Sequence, residues 1–360
     1  MQFSSNKTNS SFSSECLNKR LQQYSSKSST CLVSLAPLSN IFHKISNNMY
    51  FSFWWVFTYY LRPIIKWFLR KTTGLCELQR ICYGEVSGAP RVKAVEQSLN
   101  SSRSKQIRQL IDHLNDIAEN RRFTGANERE ILKGAVSTVL IVKKINPKIH
   151  YQFVIAFGKC VEQIWGYKQL LAEVEQLRQA QFDSDDLNHE RKLYELWENL
   201  MPNEKLEGRI TRQWQDIGFQ GEDPKTDFRG MGMLGLENLL FFATEYKAPA
   251  QHVLSHSMHP TYGYCFAIVG INLTSMALSL LRDGSAKTYL YNASRSLPTI
   301  RLFHYFYSFL FYEFDRFWME CKPKDIMEFS SVRDKFEKNL RNSLLNSRME
   351  FRIALNVENV

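Results

Sequence analysis

An all-α fold is predicted by three observations on the amino-acid sequence. After about residue 92, apolar residues recur at three- and four-residue spacing, the period of one face of a helix. The stretches that carry this period are bounded by capping side chains at their starts and by Pro or Gly at their ends. No set of runs alternates apolar and polar residues as half-buried strands would. The expected organisation is a single helical domain with an N-terminal helical region, preceded by a disordered tail.

Residues 1–48 contain 13 serines and almost no periodic apolar pattern. Such a segment buries too little surface to offset its ordering entropy, so a disordered tail is expected. It is Ser-rich and acid-poor like an organellar transit peptide, but Arg20 is its lone arginine, which favours a plain flexible tail.

Residues 49–82 differ in character. The uncharged run Met49 to Leu61 is 13 residues long, short of the roughly 20 that span a bilayer. Arg62-Pro63 interrupts it, and Lys66, Arg70 and Lys71 follow. Trp54, Trp55 and Trp67 stand among tyrosines and phenylalanines, rings that favour the headgroup zone. Residues 49–71 therefore read as an interfacial anchor on a membrane surface. A helix packed on the protein's own core is the competing reading.

Residues 92–182 read as a helical region packing on the core. Ile107, Leu110, Ile111, Leu114 and Ile117 form one apolar stripe, and a longer helical pattern covers Val154 to Gln181. Its Leu171–Gln181 end has the charge pattern of a solvated face. Residues 183–345 form the main domain. Its first helix follows the capping run Asp183, Ser184, Asp185 and stops at Pro202. Two later helical patterns, Met258 to Gly284 and Leu297 to Pro323, complete it. The second is apolar nearly all round over Phe303–Trp318, as a buried helix would be. Residues 346–360 form a C-terminal tail.

The net charge of +10 looks at first like a nucleic-acid signature. Its distribution argues otherwise, because residues 1–82 hold ten Lys/Arg against Glu15 and Glu77, leaving +2 for the remaining 278 residues. A nucleic-acid binder would show its basic face on the folded domain, so no nucleic-acid partner is expected. A basic leader beside aromatics points to an anionic membrane surface. The seven cysteines are scattered without a C-x-x-C pair, which indicates neither a disulfide framework nor a zinc site.

The stretch DFRGMGMLG, residues 227–235, contains G-x-G-x-x-G at Gly230, Gly232 and Gly235. A dinucleotide loop needs an apolar strand before it and an acid about 20 residues after it. Here GFQGEDPKTDFR precedes it and AQHVLS lies at 250–255, so the cofactor reading fails on both counts. No Walker-A sequence occurs either. The structural reading is a helix whose Gly232 and Gly235 admit close packing. Thr226 or Asp227 would be its N-cap, which places Arg229 at the start of the helix. A cation there opposes the helix dipole by about 0.3–1 kcal/mol, which implies a use beyond stability. A salt bridge to Asp227, Asp223 or Glu222 is the competing account.

The run LWENLMPNEKLEGRITRQWQDIGFQGEDPKTDFRGMGMLGLENLLFFA closely resembles the ELMO domain, and specifically the ELMO domain-containing (ELMOD) family. HPTYGYCFAIVGINLTSMALSLL, FYEFDRFWME and KWFLRKTTGLCELQR add to the resemblance, which spans from about Met49 almost to the C-terminus. Trp214, Gly218-Phe219-Gln220, Pro224 and Asp227-Phe228-Arg229-Gly230 carry the signature. The resemblance implies a GTPase-activating protein for GTP-bound Arf and Arf-like small GTPases, with Arg229 as the catalytic residue supplied in trans. A planar, permanently charged guanidinium suits the charge that builds during phosphoryl transfer. No cofactor of its own is expected, because GTP and Mg²⁺ belong to the partner.

In a supporting role, Asp227 would steer the guanidinium, while Pro224 and the Gly218 and Gly221 turns would shape the loop. Trp214, Phe219 and Phe228 are expected in the scaffold, and Gln220 in a loop hydrogen bond or beside water. The resemblance further implies a cytoplasmic protein peripherally attached to endoplasmic reticulum, mitochondria or related membranes. The alternative function is a non-enzymatic adaptor or effector that binds a small GTPase. His252, His256 and His259, at i, i+4 and i+7, could share a helix face. Pro260 and the lack of a nearby carboxylate favour helix-terminal histidines over a metal site.

Overall fold

The computed structural model describes residues 60–120, 125–294, 297–349, 351 and 353. The expected disordered tail, the residues of the aromatic segment before 60 and most of the C-terminal tail lie outside the described residues. All regular elements among the described residues are helices, so the all-α expectation holds. The chain divides into two compact units between Thr72 and Thr73.

Helix α1 covers Arg62–Thr73 and lies in the first unit except for its last residue. Pro63 sits in its first turn, where a missing N–H costs nothing. Ile64, Ile65, Trp67 and Phe68 are all exposed, with Trp67 at 67% of its full area. Arg70 and Lys71 close the last turn, where cations suit the helix dipole.

The second unit begins with α2 (Glu77–Gly84), α3 (Ala89–Asn100), α4 (Lys105–Asn120) and α5 (Gly125–Lys143). Pro90 opens α3. The predicted stripe of α4 is present, with Ile107 fully buried and Leu110, Ile111, Leu114 and Ile117 half-buried. All four helices pack on α6 (Tyr151–Gln179), which buries Phe153, Phe157, Trp165, Leu170 and Val174. The other side of α6 meets α8 (Gly232–Glu245), α10 (Phe266–Arg282) and α12 (Ile300–Cys321). α6 is therefore the wall shared by the N-terminal helices and the C-terminal bundle. The Trp165 indole N–H donates to the Leu114 carbonyl at 3.1 Å, tying α6 to α4.

The bundle is completed by α7 (Leu187–Leu200), α9 (Lys247–Ser257), α11 (Lys287–Ala293) and α13 (Phe329–Leu344). α7 is capped by Asp186, which accepts from the Asn188 N–H at 2.8 Å. This corrects the expected cap at Asp183–Asp185: Asp183 instead accepts the Asp185 N–H and closes a turn just before the helix. α10 begins at Phe266 and not near Met258, because Tyr264 N–H bonds back to the Ser257 carbonyl and breaks the helical ladder. α12 buries Phe303, Phe306, Tyr307, Phe311, Phe314 and Trp318, as its near-continuous apolar run predicts. Of the polar groups it buries, the Tyr307 hydroxyl has no hydrogen-bond partner among the described residues, whereas the His304 ring pairs with Asn238 Oδ1 at 2.7 Å and Asn238 donates to Thr274 at 3.1 Å. One polar chain thus links α12, α8 and α10. Beyond α13, Phe351 is buried and stacks on Phe309 with centroids 4.2 Å apart.

Candidate functional site

Between α7 and α8 the chain makes two short 3₁₀ turns, Arg212–Ile217 and Pro224–Arg229. Gly218 ends the first with φ +84°, a left-handed conformation that side chains disfavour. Its carbonyl accepts the Ile268 N–H at 3.3 Å. A Cβ there would fall 2.3 Å from the Phe266 nitrogen and 2.7 Å from the Cys265 carbonyl carbon. Position 218 is a glycine because the loop is pressed directly onto the start of α10.

The second turn is fixed from its first residue. Asp223 accepts the Lys225 N–H at 3.0 Å, and Pro224 supplies the locked φ that follows a cap. The same Asp223 carboxylate pairs with Arg209 at 2.9 Å. Glu222 pairs with Arg212, and its carbonyl accepts the Thr211 N–H at 3.0 Å. The two turns are therefore clasped at their base.

Beneath them runs a line of buried rings. Trp197 meets Trp214 edge-on at 5.6 Å, Trp214 meets Phe219 at 5.7 Å, and Phe219 meets Phe228 at 5.6 Å. Phe182 closes the far end at 6.4 Å from Phe228. Edge-to-face pairs add about 0.5–1.5 kcal/mol each beyond their burial, so this line holds the loop in one shape. The Trp214 indole donates to the Arg209 carbonyl at 2.9 Å. Trp214, Phe219 and Phe228 thus lie in the scaffold, together with Phe182 and Trp197.

Asp227 is half-buried and accepts the Gln220 backbone N–H at 2.9 Å, joining the two turns across their mouth. Desolvation raises its pKa above the usual carboxylate value, while the Gln220 hydrogen bond and the Arg229 charge oppose that shift. Gln220 is exposed, and its carbonyl receives a long contact of 3.5 Å from the Gln215 amide. Cys265, next in space, has its thiol pushed up by desolvation first and by the Asp227 charge second.

Arg229 is exposed and is the last residue of the second turn. Among the described residues no hydrogen bond or ion pair engages its guanidinium, since Asp223 and Glu222 are taken by Arg209 and Arg212. The expected helix start is corrected here. α8 begins at Gly232, three residues beyond Arg229, with no side-chain cap from Thr226 or Asp227, and the separate 3₁₀ turn before it is capped by Asp223. Thr226 instead donates its hydroxyl to the Asp223 carbonyl. Arg229 therefore closes one helical turn as well as preceding another, and the dipole opposition anticipated for it is offset.

The three glycines separate by role. Gly230 is open, with nothing within 4 Å of an added Cβ. Gly232 has φ +54°, and its Cβ would lie 2.3 Å from the Arg178 carbonyl oxygen and 2.4 Å from that of Ala180. Met233 N–H donates to the same Ala180 carbonyl at 2.8 Å. The end of α6 is thus seated on the start of α8. Gly235 faces the Phe228 ring at 3.2 Å. Close packing, not phosphate, explains the pattern.

Two clefts lie elsewhere. One of 510 Å³ is lined by Gly88, Arg91, Lys159 and Arg348, and one of 870 Å³ by Glu96, Lys168, Arg282 and Lys287. Neither includes Arg229, Asp227 or Gln220.

Residues 172–333 match the model of the ELMO/CED-12 family. The chain is 45% identical over 298 residues to ELMO domain-containing protein 2 of Homo sapiens, covering 82% of this chain and 97% of that one. It is 43% identical over 307 residues to ELMO domain-containing protein 1 of Mus musculus, covering 81% and 90%. The likeness to ELMO domain-containing protein B of Dictyostelium discoideum is 33% over 287 residues, covering 77% and 93%.

Proposed function

The chain belongs to the ELMO domain-containing proteins of the ELMO/CED-12 family, and from that premise we propose that it activates GTP hydrolysis by Arf or Arf-like small GTPases, inserting Arg229 into the partner's nucleotide site. The observation that carries this reading is an exposed guanidinium with no internal partner among the described residues, standing on a turn clasped by ion pairs and backed by rings. A surface arginine normally drifts among rotamers. One delivered from a rigid turn loses less entropy when it docks.

The chemistry asks for that residue type. As the terminal phosphate departs, negative charge accumulates on its oxygens and on the bridge to the β-phosphate. A guanidinium stabilises both oxygens through parallel N–H donors and never loses its proton. Such a finger supplies roughly 10³–10⁵ in rate. Asp227, a carboxylate held partly out of water, orients the guanidinium electrostatically. The partner provides the nucleotide, the Mg²⁺ and its own water-positioning group, which leaves Gln220 as a rim residue at the mouth of the loop.

α1 gives the protein its place. Its exposed Ile64, Ile65, Trp67 and Phe68 with Lys66, Arg70 and Lys71 suit a shallow seat on an anionic cytoplasmic membrane, where Arf-family GTPases would be met. No described helix is long and apolar enough to cross a bilayer by itself.

A hydrolysis screen across purified, GTP-loaded Arf-family GTPases tests the proposal. Acceleration of at least one of them is expected. An adaptor or effector would instead bind the GTP-loaded form and leave its hydrolysis rate unaltered.

A further inference from the structure

A second constellation lies where α9 crosses α12, and it is independent of the GTPase reading. His252 and His256 stand four residues apart in α9, so their rings share one face a single turn apart, with centroids at 4.1 Å. Asp315 of α12 meets them from the core side: its Oδ2 lies 2.8 Å from His256 Nδ1. The other carboxylate oxygen accepts the Tyr264 hydroxyl at 2.7 Å, which fixes the plane of the group. One ligand atom from each of the three residues lies within 4.8 Å of the others.

Asp315 is 2% exposed, whereas His252 faces solvent. The cluster is thus a shallow cup with a buried carboxylate at its base and an open side for entry. His259 is not part of it. Its Nδ1 accepts the Thr261 and Tyr262 N–H groups at 3.1 and 3.0 Å, and its ring stacks on Tyr262. The carboxylate that completes the set comes from 59 residues beyond His256, which no local spacing announces.

Two imidazoles and one carboxylate are a donor set that zinc takes with an open fourth position. Bonds of roughly 2.0–2.2 Å place tetrahedral ligand atoms about 3.3 Å apart. The His256–Asp315 pair is slightly tighter than that, and a turn of the exposed His252 ring brings in the third donor. The Tyr264–Asp315 bond supplies the outer contact that orients a ligating carboxylate. We propose that His252, His256 and Asp315 bind one divalent transition-metal ion of the zinc class, with water at the fourth position. Val253 stands where H-E-x-x-H hydrolases carry their general base, so the ion clamps α9 to α12 and does no hydrolysis.

The competing account is a metal-free triad in which Tyr264 and His256 merely satisfy Asp315. It makes His252 dispensable, and that separates the two. Zn²⁺ titrated calorimetrically into the full chain should bind at one ion per chain and raise its melting temperature, with no such rise from Mg²⁺. His252→Asn and His256→Asn should each weaken Zn²⁺ binding by at least about 100-fold, beyond the loss typical of removing an outer-contact partner. Circular dichroism would check that the exposed His252→Asn variant keeps its helices. Cys265→Ser and Cys321→Ser should leave the affinity as it was. Absence of saturable Zn²⁺ binding, or equal affinity in His252→Asn, would overturn the proposal, the latter pointing to thiols as the ligands.

Discussion

The Asp227 carboxylate accepts the Gln220 backbone N–H at 2.9 Å and thereby joins two consecutive 3₁₀ turns across their open end. Its neighbour two residues on, Arg229, is left exposed without an internal partner among the described residues. One residue closes the loop; the other projects from it.

That division predicts a trade between stability and activity at position 227. Burial raises the carboxyl's pKa in the folded protein, so the folded state holds its proton more tightly than the unfolded state. The stability cost of ionisation is therefore borne above the folded pKa and relieved as pH falls through it. Asp227→Asn keeps an acceptor for Gln220 while removing the charge. The variant should melt no lower than the parent at pH 7, with the gap closing in acid. Its stimulation of GTP hydrolysis should drop by about 10- to 100-fold as the finger loses its steering. A variant that melts markedly lower at pH 7 would show that the charge serves the fold.

Two glycines in the same loop should respond oppositely to alanine. At Gly218 a Cβ meets backbone at 2.3 Å with φ at +84°, so Gly218→Ala should cost more than about 2 kcal/mol in urea denaturation. At Gly230 nothing lies within 4 Å, and Gly230→Ala should change stability by less than about 0.5 kcal/mol. Similar losses at both positions would contradict the packing described between the loop and α10.

The core carries its own pH dependence. Burial, and secondarily Arg301, pushes the His304 pKa down to about 4. The neutral ring is thus favoured by folding, and the unfolded chain binds the extra proton. His304 withholds no stability above pH 6.5, and between there and about pH 4 it should remove about 3 kcal/mol. His304→Asn preserves a donor toward Asn238 and should flatten that part of the stability–pH curve. An unchanged slope in the variant would assign the acid sensitivity elsewhere.

Much of this architecture was legible in the sequence, for physical reasons. Helices such as α4 and α12 advertise themselves because their buried faces recur at the helical period. Elements set by long-range contacts did not. The start of α8 at Gly232 depends on the Arg178 and Ala180 carbonyls of α6, and neither is encoded in the local DFRG motif. Neither Thr226 nor Asp227 caps α8, which starts at Gly232 without a side-chain cap, and the Asp227 carboxylate is engaged by the Gln220 N–H instead. The site's arginine was marked by resemblance and by its odd placement, whereas Phe182, Trp197 and Asp315 join their clusters from distant parts of the chain.

α1 should direct the protein to anionic surfaces. Flotation with phosphatidylserine-containing vesicles is expected to carry the parent upward, and Trp67→Glu combined with Phe68→Glu to abolish it. Raising the salt should weaken the parent's binding, since its basic residues act within a Debye length of the surface. Flotation unaffected by both substitutions would remove α1 as the membrane contact.

The central claim rests on one side chain, and single-turnover GTP hydrolysis by a responsive Arf-family GTPase tests it most directly. Arg229 is exposed, so Arg229→Lys should leave the melting temperature unaltered while removing most of a roughly 10³–10⁵-fold acceleration. A lysine variant that folds normally and stimulates hydrolysis as well as the parent would contradict the account.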